Sequence, residues 1–183
     1  LVEDLLTLAR AGDARPAAAE AVAVRPLLAE LATRYAGARV PVLVRANAAD
    51  AAGASDLGAG AGDGGEPTAY LSRADLVRAL TNLVDNAVRH AATRVELALE
   101  AVESPPTAAA TLVVAVTDDG HGIPAAERER VFERFARLDE GRARDEGGSG
   151  LGLPICRELL RRNGGDVHLE DAAPGVRAVV TLP

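Results

Sequence analysis

The stretch that most constrains this chain is Thr81-Asn82-Leu83-Val84-Asp85-Asn86-Ala87-Val88-Arg89-His90, the second half of a helix predicted to start near Ser72. The Ser72-x-x-Asp75 start resembles a capping box in which Asp stands in for the usual Glu or Gln. On a helical wheel Leu76, Leu80, Leu83, Val84 and Ala87 form one apolar stripe, while Asn82, Asn86, Arg89 and His90 gather on an adjoining polar face. A carboxamide buried without a partner costs about 1–3 kcal/mol. Two of them beside a core imply that something polar meets that face; the bland alternative is a solvated helix face.

The rest of the chain decides between these readings. At 183 residues it is long enough for one well-buried α/β domain and hardly for two. Aromatic residues are only 2% of it, so Leu, Val, Ile and Ala must build the core. A net charge of −7, with every basic residue an Arg, offers no basic stripe for general nucleic-acid binding. The single cysteine, Cys156, excludes an internal disulfide and reads as a small buried hydrophobe on an amphipathic helix. No apolar run reaches the ~18 residues that a membrane span needs.

Residues 1–10 read as the last turns of a helix, from a dimer stem or packed on the domain itself. A short strand at 21–24 leads to a helix from Arg25-Pro26 to about Tyr35, then a strand at 40–45. Residues 46–67 are rich in Ala, Gly and Asp without a period, which predicts a flexible loop. After the asparagine helix, runs at 94–102 and 110–117 predict an antiparallel hairpin, and 125–132 a short helix. Charged, Gly-flanked residues 137–148 suit a mobile lid. Residues 149–163 are helical and end at Gly164-Gly165; 167–170 and 176–182 close the chain as a hairpin around Pro174-Gly175.

Two glycine turns carry the remaining signal. Asp118-Asp119-Gly120-His121-Gly122-Ile123-Pro124 stands where a buried strand ends. A carboxylate there can accept from an exocyclic amine while glycines let backbone approach a flat ring; a calcium-type acidic loop or a plain turn is the alternative. Gly147-Gly148-Ser149-Gly150-Leu151-Gly152-Leu153 opens a helix, where free backbone N–H groups make an anion site. Neither string ends in Gly-Lys-Ser/Thr, and the second follows a charged loop and not a strand, so neither fits a P-loop or a dinucleotide fingerprint.

Taken in order, these pieces resemble the catalytic ATP-binding domain of sensor histidine kinases, of the GHKL or Bergerat fold. Asn82 to His90 matches the family's N box, Asp118-x-Gly120-x-Gly122 its first glycine box, Phe132-Glu133-Arg134-Phe135 its phenylalanine box, and Gly148 to Leu153 its second glycine box. The resemblance implies an α+β fold, a two-layer α/β sandwich whose mixed, mostly antiparallel sheet packs against about three helices. The catalytic domain would span 20–183, preceded at 1–12 by the tail of the dimerisation helix, with the ATP lid at 137–148. Asn86 would hold Mg²⁺ with Asn82 beside it, Arg89 would neutralise phosphate charge, and His90 would lie near lid and nucleotide. Asp118 would accept from the adenine amino group, with Gly120, Gly122 and Ile123 shaping that turn. Phe135 and Arg137 would flank the lid, Arg137 reaching the γ-phosphate, and Gly148, Ser149, Gly150, Leu151 and Gly152 would hinge the lid and offer amides to the phosphates.

ATPases of the same fold carry a Glu one turn before the metal-binding Asn to polarise water. Here that position is Asn82, and a carboxamide cannot serve as a base. The resemblance therefore implies phosphotransfer without efficient hydrolysis. The phosphoacceptor would be a His on an upstream dimerisation helix, since His90, His121 and His168 lack the family's acceptor context. A response regulator would receive the phosphoryl group, and the parent would be a homodimer anchored in the bacterial membrane with this domain in the cytoplasm; the fragment itself would be monomeric. The rivals are an anti-sigma-factor-type serine kinase and a non-catalytic nucleotide-sensing module of the same fold.

Overall fold

The computed structural model describes residues 18–45, 66–102, 111–136 and 149–183. The expected stem tail at 1–12, the lid at 137–148 and all but the last two residues of the expected loop at 46–67 lie outside the described residues. The elements run β1 (Glu20–Ala23), α1 (Val24–Arg34), β2 (Val42–Val44), β3 (Thr68–Leu71), α2 (Arg73–His90), β4 (Val95–Val102), β5 (Thr111–Asp118), two 3₁₀ turns (Ala125–Glu127 and Arg130–Phe132), α3 (Gly152–Arg162), β6 (Asp166–Asp171) and β7 (Val176–Leu182).

Five strands form the sheet in the order β2-β4-β5-β7-β6, with β2 parallel to β4 and every other pair antiparallel. This is the mixed, mostly antiparallel sheet that the resemblance implies. Strand parity then sorts its faces. Val95 pairs with Asp118, Leu97 with Val116 and Leu99 with Val114; Val116 pairs with Ala178 and Val114 with Val180. Those apolar residues join Leu28 and Leu31 of α1, Leu76, Leu80, Leu83 and Val84 of α2, and Ile155, Leu159 and Leu160 of α3 in one core. The helices thus cover one face, giving two layers. On the other face Arg177 bridges Glu100 and Glu170, donating to each at 2.6 Å. Because side chains alternate with period two, Asp118 is carried onto the helix-covered face, at the end of an otherwise apolar row.

Strand β3 was not anticipated. It pairs antiparallel with β1, placing Tyr70 opposite Ala21, while Ala69 and Leu71 turn inward. Four residues between a Gly-rich stretch and a helix cap are too few to show a period. The expected single helix at 125–132 is instead two 3₁₀ turns closed by bonds such as Phe132 N to the Glu129 carbonyl at 3.2 Å. So short a segment gains little from α-helical propagation.

The cap of α2 also differs in part from expectation. Ser72 is the N-cap, its hydroxyl accepting from Asp75 N at 3.3 Å. Asp75 does not reach back to Ser72. Its carboxylate takes both arms of the Arg162 guanidinium at 2.9 Å and the Asn163 amide at 2.9 Å, while the Asn163 oxygen accepts from Ser72 N at 3.0 Å. Asp is one methylene shorter than Glu, and the fork of Arg162 at the end of α3 is the better partner. The start of α2 is thereby tied to the end of α3.

That tie is testable. Asp75→Ala leaves Arg162 and Asn163 half-buried without their acceptor and is expected to cost about 2–3 kcal/mol. Chemical denaturation of Asp75→Ala, Arg162→Ala and the double variant should show the double losing clearly less than the sum of the singles.

Candidate functional site

Helix α2 positions the two carboxamides. Residues 75, 79, 82 and 86 share one side of it, and Asp75 shows that this side faces α3. Asn82 and Asn86 are half-buried there. The Asn82 side-chain nitrogen has no accessible surface and no hydrogen-bond partner among the described residues; the Thr81 hydroxyl is in the same condition. A native fold leaves few such groups unpaired. The Asn82 amide is thus a donor without an acceptor among the described residues, a state that a ligand oxygen would relieve.

Asp118 closes strand β5 and is buried. Its Oδ1 accepts from Gly120 N at 2.9 Å. Burial pushes its carboxyl up from the ordinary value, against the lowering effects of the Gly120 and Val176 amides and of His90. What remains is a half-satisfied acceptor under the helices, suited to an exocyclic amine. The backbone around it is packed with no room for side chains. A Cβ on Gly120 would stand 2.3 Å from the His90 carbonyl oxygen. One on Gly175, at φ +103, would stand 1.9 Å from the Asp118 carbonyl oxygen. The first glycine turn is therefore wedged between the end of α2 and the β6–β7 hairpin. Gly122 sits at φ +80, and the His121 ring meets His90 edge-on with centroids 5.6 Å apart. Arg89 is exposed on the same helical turn.

At the second turn, Gly150 adopts φ +66 and its carbonyl accepts from Phe135 N at 3.0 Å. Phe135 is 60% exposed at φ +63, whereas Phe132 is buried beneath the Arg157 guanidinium, 4.4 Å from its ring centroid. Leu151 is the N-cap of α3 and its side chain is fully buried, so only its backbone can serve a ligand. Ser149 accepts from Leu151 N at 3.4 Å, and no side chain caps the first turn of α3 among the described residues. A Cβ on Gly152 would meet nothing within 4 Å. The predicted sites Arg137 and Gly148 lie outside the described residues. Cys156 is buried within α3 and burial raises its thiol pKa, which leaves it inert.

The structure therefore gathers Arg89, His90, Asp118, Gly120 and His121 at the end of α2, and Phe135, Ser149 and Gly150 at the start of α3. Sequence reasoning missed two residues of this site. Gly175 carried only a turn signal, and nothing local reveals that its neighbour is Asp118. Asp119 stood in the turn string without a role of its own; its Oδ1 accepts from the backbone amides of Ala92, Thr93 and Arg94 at 2.9, 2.9 and 3.2 Å, and its Oδ2 accepts from the Thr93 hydroxyl. Those bonds, the Thr93 hydroxyl first, hold its carboxyl well below the ordinary range.

A helix-covered carboxylate, an orphaned carboxamide and an uncapped helix start are groups with which an α/β domain could hold a nucleotide. The comparisons narrow it. Residues 72–183 match the model of the "Histidine kinase-, DNA gyrase B-, and HSP90-like ATPase" family. The chain belongs to that family. It is 38% identical over 109 residues to the sensor histidine kinase CpxA of Escherichia coli (strain K12), covering 59% of this chain and 22% of CpxA. It is 40% identical over 106 residues to the histidine-protein kinase/phosphatase MprB of Mycobacterium sp. (strain KMS), covering 58% of this chain and 20% of that protein. The chain thus spans about a fifth of the length of these relatives. Among solved structures, full-length ShkA in complex with AMPPNP aligns over 100% of this chain and 35% of its own, with TM-score 0.73 and 25% identity. The mycobacterial sensor histidine kinase MprB aligns over 90% of this chain and 97% of its own, with TM-score 0.62 and 25% identity.

The two neighbouring aspartates predict opposite pH behaviour. Asp119, whose folded pKa is depressed, contributes stability that is present above the ordinary carboxyl value of 3.8 and is lost as pH falls below it. Asp118, whose folded pKa is raised, opposes folding when ionised, and that opposition is relieved as pH falls through its folded pKa. Denaturation from pH 7 to pH 3 should show the deficit of Asp119→Asn relative to wild type shrinking on acidification, and the difference between wild type and Asp118→Asn moving the other way.

Proposed function

We propose that this chain is the ATP-binding catalytic domain of a two-component sensor histidine kinase. It positions Mg-ATP so that a His on a dimerisation helix of the parent attacks the γ-phosphorus. The P–N bond forms as the bond to the β,γ-bridging oxygen breaks, ADP departs, and the phosphoryl group passes on to an Asp of a response regulator. Family membership and the sensor-kinase relatives support this reading, and Asn82 is the observation that carries it. An ATPase of this family that hydrolyses ATP efficiently needs a base at that position, and the carboxamide there has none to offer. The same relatives favour this reading over an anti-sigma-factor-type serine kinase or a non-catalytic module.

The residue roles are those that the resemblance implies, and the geometry is compatible with them for the described residues. Asp118 accepts from the adenine amino group, and the packed Gly120 and Gly122 backbone, with Ile123, shapes the slot beside the ring. Asn82 and Asn86 face the phosphates from α2, and Arg89 and His90 add donors one turn further on. The uncapped start of α3, with Ser149, Gly150, Leu151 and Gly152, supplies backbone N–H groups to the phosphate end, with Phe135 beside it, while Arg137 and Gly148 take the lid roles that the resemblance implies. The Asn86 carboxamide oxygen would hold magnesium, a hard cation that takes few protein oxygens and completes its shell with phosphate and water. When bound, the metal neutralises charge developing on the phosphates. The chain's own part is to position and to exclude water. The parent is proposed to be a homodimer anchored in the bacterial membrane with this domain on the cytoplasmic side; no helix among the described residues is long and apolar enough to cross a membrane.

Calorimetry with Mg-ATP should give binding to the wild-type chain, loss of the magnesium-dependent part in Asn86→Ala, and about a tenfold weaker, less base-selective site in Asp118→Asn. Unchanged affinity in Asp118→Asn would refute the placement of the adenine. His90 and His121 are engaged with one another, and His168 pairs at 3.2 Å with Glu170 on the outer strand β6. Because none of the three has the family's acceptor context, the isolated chain should incorporate no labelled phosphate from γ-labelled ATP, and labelling of the purified fragment would contradict the assignment of the acceptor to the parent's stem.

A further inference from the structure

The link between α2 and β4, residues 88–94, reverses the chain within a few residues beside the proposed adenine turn. Its backbone groups find their partners in two side chains from elsewhere. From the side of α1, the Arg39 guanidinium donates through one nitrogen to the Val88, Arg89 and Ala91 carbonyls at 2.8, 3.4 and 2.5 Å. From the side of β5, Asp119 accepts from the amides of Ala92, Thr93 and Arg94 at 2.9, 2.9 and 3.2 Å. A cation thus closes the carbonyl end of α2 and an anion collects the donors that follow, each with the sign that the exposed dipoles call for. Tyr35 reinforces the first clamp, its hydroxyl donating to the Asp85 carboxylate at 2.5 Å, next to Asn86.

The position of this link matters because the His90 carbonyl lies between the two clamps. A Cβ on Gly120 would stand 2.3 Å from that carbonyl oxygen, so displacement of the link toward the turn pushes the backbone amide that holds the Asp118 carboxylate at 2.9 Å. Asp119 is itself the residue between Asp118 and Gly120, so the same side chain that grips the link also fixes the turn. We infer that Arg39 and Asp119 are positioning residues of the nucleotide site, setting the separation between the carboxylate of Asp118 and the phosphate-facing side of α2 and thereby the preference for adenine. Neither residue touches the nucleotide in this scheme. Asp119 acts as a hydrogen-bond acceptor for the link, and Arg39 as a charged cap.

This inference rests on the reading of the site as an adenine-nucleotide site, so the experiment begins with wild type. Affinities for Mg-ATP and Mg-GTP are measured by calorimetry, with thermal unfolding recorded on each sample. The variants are Arg39→Ala, Arg39→Lys, Asp119→Ala and Asp119→Asn. Arg39→Ala and Asp119→Ala are expected to weaken ATP binding about tenfold and to lower the ATP-over-GTP preference several-fold in protein that is still folded. Arg39→Lys, which keeps a cation at the helix end, and Asp119→Asn, which keeps an acceptor, should recover most of both. Unchanged nucleotide preference in folded alanine variants, or equal weakening of ATP and GTP, overturns the inference while leaving the site assignment standing. A wild-type chain that binds no ATP overturns both. If Asp119→Ala does not fold, Arg39→Ala, whose side chain lies on the surface, decides the matter.

Discussion

Everything in this domain depends on a backbone contact that tolerates no side chain. The carbonyl of His90 at the end of α2 lies so close to Gly120 that a Cβ there would stand 2.3 Å away. A helix carrying two inward-facing carboxamides is thereby locked against the turn that carries the buried Asp118. On the far side of the turn, Gly175 repeats the device, at 1.9 Å from the Asp118 carbonyl oxygen. The backbone on both sides of the Asp118 carboxylate is thereby held in place. Specific recognition of a flat ring requires that rigidity, because a loosely held acceptor would follow any base.

The sheet explains how a charged group comes to be there. Asp118 follows Val114 and Val116 on the helix-facing row of β5, so strand parity alone delivers it beneath the helices. Burial raises its pKa, and the Gly120 and Val176 amides and His90 offset part of the cost. The next residue has the opposite parity and the opposite fate, since Asp119 points toward the α2–β4 link and is saturated with donors. Two identical side chains in succession thus meet different surroundings, one buried beneath the helices and one taken up by the backbone amides of the link.

Much of this was legible in the sequence because it is local. The apolar stripe of α2, the N-cap at Ser72, the β4–β5 hairpin and the two glycine turns all follow from spacing within a few residues, and the structure shows each of them. What escaped is non-local. The partner of Asp75 is Arg162, 87 positions away, and the sequence offered instead a capping box with Ser72. Strand β3 exists because β1 is there to pair with it, and four residues carry no period of their own. Gly175 is needed only because the Asp118 carbonyl lies against it. The roles of Arg39 and Asp119 depend on where α2 ends in space. The residue types at the site were legible from motif spacing, whereas the side chains that hold them in place were not.

The central claim is that the carboxamide side of α2, the first glycine turn and the start of α3 serve one bound nucleotide. Amide hydrogen exchange of the chain with and without Mg-ATP tests it most directly. The account predicts that saturating nucleotide slows exchange together in 82–94, in 118–122 and in 149–153, while the outer strand β6 is unaffected. Protection confined to one of these segments, or centred on other surfaces, would contradict it.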